Sequence, residues 1–463
     1  MVSAGLNYLL AADSPVVGLA GAFRAKGHEL YLVGGVVRDA FLGRRHETPD
    51  LDLATDAPPE RVKEIVGPVA SALWLQGVEF GTVGAEIDDV RIEITTFRTE
   101  RYQPASRHPE VTFAADVKTD LSRRDFTINA IAVSLPERAP IDPFGGVADI
   151  KARVIRTPVD PADSFSDDPL RMLRAFRFAS QLDFKIEKET LDAIASMNDQ
   201  IETVSAERIR DEFVKLLVGA APGRALELAE NSGLTEHFLP ELSALKLEQD
   251  PVHKHKDVFH HTLAVMERTD PIPELRLAAL LHDIGKPKTR RIDKREGVTF
   301  HHHEVVGADM AAARLRALRF DNHTVDDVSE LIRLHHRFHT YRLGWSDSAV
   351  RRYVRDAGPL LGTLNALVRA DCTTRNRDKA RRLGERMDEL EERITELAAR
   401  EELDRIRPDL DGREVMAHLG IEPGPLVGEA LDFLLELRLE EGPLGKDEAY
   451  ERLDQWAATK KIR

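Results

Sequence analysis

The chain has 463 residues and a formal net charge of −15, with 42% hydrophobic and 31% charged residues. This composition excludes collagen-like, low-complexity and broadly disordered chains, and the length predicts about three domains. The single cysteine cannot form an internal disulfide, and no apolar run approaches the ~20 residues that span a membrane. We therefore expect a cytoplasmic protein without a membrane partner. Its acidity disfavours nonspecific DNA coating but leaves RNA binding through local arginine clusters open.

The first 150 residues carry the pattern of a sheet. Residues 29–37 predict a buried strand that ends in a glycine turn, and residues 38–43 predict a short helix. Polar and apolar residues alternate over 50–54 and again over 90–96, as they do in half-buried strands. The later of these two strands places Glu93 on one face of the sheet.

Helical periodicity replaces the strand signals beyond residue 146 and continues to the C-terminus. A stretch rich in Gly, Pro and Asp at 145–160 is the predicted domain junction. Residues 380–407 predict a charge-laced amphipathic helix whose apolar stripe packs in a core. The whole pattern predicts an α+β protein with a mixed-sheet head and a helical remainder.

Two carboxylates on the strand over 50–54 suggest a metal site. Asp50 and Asp52 are two residues apart, so both project from the same face, where a divalent cation would offset their repulsion. Glu93 could complete the site, whereas an isolated Asp-x-Asp pattern would more often be a turn or surface feature. Upstream, the pair Gly34-Gly35 leaves room for a phosphate, and Arg38 offers a bidentate phosphate partner. Together these residues predict magnesium-assisted phosphoryl or nucleotidyl transfer.

Six motifs follow one another along residues 30–215. They are GGVVRD at 34–39, DLD at 50–52, RRDFTINA at 123–130, DPFGG at 142–146, DDPLRMLRAFRF at 167–178 and SAERIRDE at 205–212. In order and spacing they resemble the class II tRNA nucleotidyltransferase and poly(A) polymerase family. One departure is the Asp-Asp at 167–168, where the family usually has Glu-Asp.

The resemblance implies a role for each matching residue. Asp50 and Asp52 would be the magnesium ligands and catalytic acids, with Glu93 as a third acid. Asp168 and Arg171 match the pair that reads the base edge of CTP or ATP in place of a template, since the arginine donates and the carboxylate accepts. The implied nucleotide-binding residues are Gly35, Arg38, Arg124, Asp168, Arg171, Arg174 and Arg177.

A second set of residues resembles the HD metal-dependent phosphohydrolase superfamily, through His261, the HDIGK sequence at 282–286 and the RAD sequence at 369–371. The resemblance implies a divalent metal of unspecified identity, held by His261, His282, Asp283 and Asp371. His303 and His335 could extend the set to two metals, but neighbouring histidines at 301, 302 and 336 leave that choice open. Two roles stay open as well: hydrolysis of a phosphoester, or shaping of the RNA-binding tail.

The two resemblances together imply four domains. These are a catalytic nucleotidyltransferase head at 1–150, a helical neck for nucleotide selection and RNA binding at 151–245, an HD domain at 246–380 and a helical, tRNA-binding tail at 381–463. The implied activity is template-independent addition of CCA to the 3′ end of tRNA from CTP and ATP, with release of pyrophosphate. Alternatives are a poly(A) polymerase that uses ATP alone, which the Asp168 and Arg171 pair disfavours, and an HD phosphohydrolase with a nucleotide-sensing head.

Overall fold

A computed structural model describes residues 6–7, 10–11, 14–44, 51–101, 110–114, 116–247, 257–293, 297–340, 345–372, 377–403 and 406–462. By internal contacts the chain divides into two compact units. The first unit comprises residues 1–243 with 317–319, and the second comprises residues 244–316 with 320–463. Within the described ranges, no helix combines the length and the apolar character needed to cross a membrane.

The first unit contains both strands and helices. Its strands are β1 (Leu30–Val33), β2 (Leu51–Thr55), β3 (Ala72–Trp74), β4 (Thr82–Ile87), β5 (Val90–Thr96), β6 (Arg98–Arg101), β7 (Glu110–Phe113), β8 (Ala132–Leu135), β9 (Pro140–Ile141), β10 (Val154–Ile155) and β11 (Lys185–Ile186). Its helices are α1 (Pro15–Ala25), α2 (Gly35–Phe41), α3 (Pro59–Val66), α4 (Val117–Ser122), α5 (Gly146–Ala152), α6 (Pro161–Asp167), α7 (Leu170–Leu182), α8 (Lys188–Met197), α9 (Ala206–Leu217), α10 (Pro222–Asn231) and α11 (Pro240–Ser243).

Seven of these strands form one mixed sheet in the order β3-β4-β5-β2-β1-β8-β9. Strands β2 and β5 run parallel, whereas the other described pairings in this sheet are antiparallel. Strand β1, between β2 and β8, is buried along its whole length, because it has a neighbour on each side and apolar side chains on both faces. The predicted α+β class, with a mixed-sheet head, is confirmed.

The strand predicted over 29–37 is wrong in its second half. Strand β1 ends at Val33, and helix α2 begins at Gly35. Gly34 ends the strand, since its φ of +77° lies in a region that favours glycine. Val36 and Val37 are buried as the inner face of α2, and an apolar run of this kind does not distinguish a strand from a buried helix.

The strands predicted over 50–54 and 90–96 are confirmed as β2 and β5. Asp50, which precedes β2, lies outside the described residues. The helix predicted over 380–407 is present but begins at residue 377 and ends at residue 398. Its Met387, Leu390 and Leu397 are buried, as the predicted apolar stripe requires.

In its described residues, the second unit has helices and one small hairpin of β12 (Arg291–Asp293) and β13 (Gly297–Thr299). Its helices are α12 (Val258–Glu267), α13 (Pro273–Leu281), α14 (Lys286–Thr289), α15 (His303–Ala317), α16 (Asn322–Leu334), α17 (Arg337–Thr340), α18 (Asp347–Ala357), α19 (Leu361–Asp371), α20 (Arg377–Ala398), α21 (Gly412–Leu419), α22 (Pro425–Glu441) and α23 (Lys446–Lys460). Helix α13, which is buried from Leu275 to Leu281, packs against α12, α16 and α19, which makes it the centre of these helices.

A buried ionic group joins three helical regions of the second unit. Arg351 on α18 donates from Nε to Glu401 at 3.0 Å, and Arg438 on α22 donates to the other oxygen of the same carboxylate. All three side chains are less than 10% exposed. Arg351 also donates to the carbonyls of Leu439 and Glu440, each at 3.2 Å, so its donors point at the end of α22.

Candidate active site and metal centre

Two of the three predicted catalytic acids, Asp52 and Glu93, lie on neighbouring strands of the sheet. Asp52 on β2 is the register partner of Glu93 on β5. Residues directly opposite each other on adjacent strands project from the same face, so both carboxylates belong to one side of the sheet. Asp52 is half-buried and Glu93 is exposed. Their oxygens are the donor type that magnesium prefers, so the described residues fit the expected metal.

Glycine at position 34 lets the backbone approach Asp52 closely. A Cβ atom built there would lie 3.0 Å from Oδ2 of Asp52 and 3.5 Å from Nη1 of Arg124. Any side chain would therefore crowd the carboxylate as well as strain a backbone with positive φ. The predicted Gly35 follows as the first residue of α2, which carries Arg38 one turn later.

A cavity of about 670 Å³ brings Asp52 together with all seven predicted nucleotide-binding residues, and Glu93 is not part of its lining. The lining carries more positive than negative charge. The cationic residues are Arg38, Arg123, Arg124, Arg171, Arg174, Arg177, Arg208 and Lys215, and the acidic residues are Asp52, Asp125 and Asp168. A cavity with this excess of cations favours a polyanionic ligand.

One buried acid, Asp120, holds two arginines of the cavity, Arg123 and Arg124. Asp120 on α4 accepts from Nη2 of Arg123 at 2.7 Å and from Nη2 of Arg124 at 3.2 Å. Burial by itself raises the pKa of Asp120, but the charges and hydrogen bonds of the two arginines outweigh it and lower the pKa below its ordinary value. The acid therefore stays ionised and fixes both guanidinium groups.

Asp125 holds two further groups of the cavity. Its Oδ2 accepts from Nε of Arg174 at 3.0 Å, and its Oδ1 accepts from Nδ2 of Asn129 at 2.9 Å. Oδ1 of Asn129 in turn accepts from Nη1 of Arg38 at 2.8 Å. Burial raises the pKa of Asp125, but the charge of Arg174 and the hydrogen bond from Asn129 hold it well below its ordinary value. One carboxylate thus orients one arginine directly and another through an amide.

The residues expected to read the base are both buried, and each has a separate set of partners. Oδ2 of Asp168 accepts from Nη2 of Arg208 on α9 at 2.8 Å, and Oδ1 accepts from the backbone N–H of Leu170 at 3.2 Å. Nη1 of Arg171 donates to Oγ of Ser164 at 2.9 Å, and its Nη2 donates to the carbonyl of Arg123. Both groups are fixed in orientation before any ligand binds.

Helix α9 supplies anchors for which sequence reasoning had predicted no role. Glu212 accepts from Nη1 of Arg174 and from Nη1 of Arg177, each at 3.3 Å. Arg208 on the same helix pairs with Asp168. The SAERIRDE motif contained both residues, but only the packing of α7 against α9 shows which side chains they meet. Asp125 and Asn129 were missed for the same reason, although both stand in the RRDFTINA motif.

The four predicted HD ligands meet in the second unit. His261 lies on α12, His282 and Asp283 directly follow α13, and Asp371 ends α19. Nε2 of His261 is 2.9 Å from Oδ1 of Asp371, and Nε2 of His282 is 3.3 Å from Oδ2 of Asp283. Helices far apart in sequence therefore deliver imidazoles and carboxylates to one point.

Two further histidines share Asp283 with this cluster. His303 and His335 are buried, and their ring nitrogens form a second compact group with Asp283, whereas His301 and His302 are exposed. Burial and the charge of His282 lower the pKa of His335 to about 3, so its imidazole is neutral at physiological pH, as metal ligation requires. The structure thus separates the histidines of the cluster from their exposed neighbours.

Unsatisfied buried atoms show that this cluster fits a metal. Nε2 of His282 and Oδ1 of Asp283 are buried, and neither makes a well-directed hydrogen bond within the described part of the chain. Burial lowers the pKa of His282, but the charge of Asp283 dominates and raises it to about 10, so the carboxylates favour a positive charge at this point. A metal ion bound there would take the place of the proton on His282, and mixed imidazole and carboxylate donors suit a divalent metal.

Comparisons with known proteins match three successive regions of the chain. Three family models match: the poly(A) polymerase head domain over residues 30–156, a probable RNA- and SrmB-binding site of polymerase A over 183–246, and the HD domain over 258–403. Nucleotidyltransferases and HD proteins are metal-dependent families. The three family matches thus follow one another in the order of the head, neck and HD regions predicted from the motifs.

Two relatives differ in how much of the chain they match. The Enterococcus faecalis CCA-adding enzyme is 48% identical over 196 residues, which cover 42% of this chain and 47% of that enzyme. The chain spans about half the length of the curated CCA-adding enzymes it matches in this way. The A-adding tRNA nucleotidyltransferase of Deinococcus radiodurans is 34% identical over 441 residues, covering 92% of this chain and 95% of that enzyme.

A solved structure matches along the whole chain. The crystal structure of the Bacillus stearothermophilus CCA-adding enzyme in complex with CTP has a TM-score of 0.71 and 27% sequence identity. The match covers 99% of this chain and 99% of that enzyme.

Proposed function

The chain belongs to the tRNA nucleotidyltransferase family, and we propose from this premise that it adds CCA to the 3′ end of tRNA from CTP and ATP, releasing pyrophosphate. One observation carries the proposal: Asp52 and the seven predicted nucleotide-binding residues line a single cation-rich cavity. Because a nucleoside triphosphate is a polyanion with a base at one end, it matches the charge of this cavity.

The triphosphate and the base would meet different residues. Arg38, Arg174 and Arg177 present guanidinium groups to the phosphates, each held by a carboxylate or amide behind it. Asp168 and Arg171 present one acceptor and one donor to the base edge. Since Asp168 and Arg171 are both held by protein partners, the cavity selects a base without a nucleic-acid template.

Asp50 and Asp52 would hold magnesium, with Glu93 as a third acid on the same side of the sheet. Bound there, the metal would activate the 3′-hydroxyl of tRNA and neutralise phosphate charge. The arginines of the cavity orient the triphosphate for in-line attack and offset the charge that develops on pyrophosphate.

The second unit would bind a divalent metal through His261, His282, Asp283 and Asp371, with His303 and His335 completing the cluster. Phosphoester hydrolysis is the secondary activity that this centre suggests.

We further propose the domain limits 1–150, 151–245, 246–380 and 381–463, with tRNA contacts in the neck and tail. A cytoplasmic location agrees with the single cysteine of the chain.

Addition of the terminal A alone is a second candidate, because one relative that matches along almost the whole chain is an A-adding enzyme. The experiment supplies tRNA that lacks CCA, tRNA that ends in CC and complete tRNA, each with CTP, ATP or both, and sequences the products. CCA on the first substrate supports our proposal. Extension of the CC substrate alone supports A addition. Long A tracts would identify a poly(A) polymerase and contradict both.

A further inference from the structure

Three arginines of the nucleotide cavity converge on one aromatic ring. The guanidinium carbons of Arg38, Arg174 and Arg177 lie 5.3, 5.6 and 4.0 Å from the centroid of the Phe178 ring. These distances are within the ~6 Å range of cation–π attraction. Phe178 itself lines the cavity, so the ring stands among the groups proposed to meet the triphosphate.

The ring is a rigid platform. Phe178 lies on α7, is 4% exposed and packs edge-on against Phe126, with ring centroids 5.7 Å apart and planes at 85°. Arg174 and Arg177 come from the same helix, whereas Arg38 comes from α2. Arg174 and Arg177 share Glu212 as a polar anchor, whereas Arg38 is held by Asn129, and the ring is a contact that all three have.

Three cations gathered before a ligand arrives repel one another, and a buried aromatic face offsets that repulsion. The face of the ring carries a negative potential, but the ring has no net charge. It therefore does not compete with phosphate for the guanidinium groups as another carboxylate would. Burial and the charge of Arg174 lower the pKa of Arg177 to about 10, which reflects this crowding but leaves the group charged at neutral pH.

We propose that Phe178 is a positioning residue for the nucleoside triphosphate, whose ring holds three guanidinium groups in the arrangement that receives the phosphates. The inference rests on the proposed function of the same cavity. It requires that the ring's electrons, and not only its volume, matter for nucleotide affinity.

The test replaces Phe178 with mono-, di- and trifluorophenylalanine, which keep the shape of the ring while weakening its negative face, and with leucine. Phe176→Leu is the matched control, because Phe176 lies on the same helix, is fully buried and does not line the cavity. The dissociation constants of CTP and ATP are measured by calorimetry, beside KM for nucleotide, KM for tRNA and kcat.

We expect nucleotide affinity to fall stepwise with fluorination and by about tenfold in Phe178→Leu, with KM for tRNA within about threefold of that of the unmodified protein. Phe176→Leu should lower the melting temperature without changing nucleotide affinity. Equal affinity across the fluorinated series would overturn the inference, even if Phe178→Leu fails to fold. If the unmodified protein adds no nucleotide to tRNA, the proposed function is contradicted instead. The calorimetric series still tests the role of the ring in that case, because it measures nucleotide binding and not addition.

Discussion

Asp52 and Glu93 lie directly opposite each other on β2 and β5, the parallel pair within an otherwise antiparallel sheet. Asp52 is half-buried beside the Gly34 turn, whereas Glu93 is exposed and outside the cavity lining. The two acids therefore share a face but not an environment. Their contributions to catalysis should differ in size.

Replacement of Asp52 by Asn should abolish nucleotide addition, leaving less than about a tenth of the normal rate, because the amide removes a charged metal ligand. The fold should persist, since Asn has the same shape. Incorporation of labelled CTP into tRNA in magnesium measures the rate, and circular dichroism checks folding. Glu93→Gln serves as the comparison and should retain more activity. A folded Asp52→Asn variant with a near-normal rate would refute the assignment of the metal ligand.

Replacement of Arg171 by Ala should damage base selection more than triphosphate binding, because Arg174 and Arg177 remain. A bidentate base contact is worth ~1–3 kcal/mol, so discrimination against UTP and GTP should fall by roughly tenfold or more. The measurement is kcat/KM for each of the four nucleotides. Arg171→Lys keeps the charge but lacks the fork, and should lose discrimination as well. Unchanged selectivity in both variants would place base reading elsewhere.

Replacement of His282 and Asp283 by Ala should remove the metal of the second unit together with any phosphoesterase activity. Addition to tRNA should stay within about fivefold of normal, since every proposed transferase residue lies in the first unit. Metal content, hydrolysis of a generic phosphodiester and nucleotide addition are measured on one preparation. His302→Ala, at an exposed histidine, is the control and should change none of them. A folded double variant without nucleotide addition would show that the two centres are not independent.

Replacement of Asp120 by Asn should change how stability depends on pH. The folded-state pKa of Asp120 lies below the ordinary 3.8, so its stabilisation is complete above that value and is lost as the pH falls through it towards the folded pKa. The variant should be about 1–3 kcal/mol less stable at neutral pH, with a shallower loss of stability between about pH 5 and pH 3. Hydrogen exchange of the amides in the first unit measures the free energy of opening. Identical slopes for the two proteins would contradict the prediction.

Much of the candidate site could be predicted because short segments of sequence contain the pattern of the elements that carry it. The alternation over 50–54 and 90–96 predicted both strands. These patterns repeat over neighbouring residues, so one segment of sequence contains the whole signal.

Other features depend on partners that no local pattern contains. Which arginine faces Asp168 is decided by the packing of α7 against α9, and Arg208 is 40 residues away in sequence. Likewise, His303 could be distinguished from His301 and His302 only once the burial of each ring was known. The end of β1 was misplaced because Val36 and Val37 suit a strand and a buried helix equally well.

The ionic group of Arg351, Glu401 and Arg438 limits how the chain can be shortened. A truncation before Arg438 would leave Glu401 with one partner and would remove the two carbonyls that accept from Arg351. A truncation before Glu401 would remove the carboxylate and both carbonyls that accept from Arg351. Because an uncompensated buried charge costs about 3–5 kcal/mol, either fragment should be hard to obtain in folded form. A minimal version of the second unit therefore has to extend through Glu441, the last residue of α22.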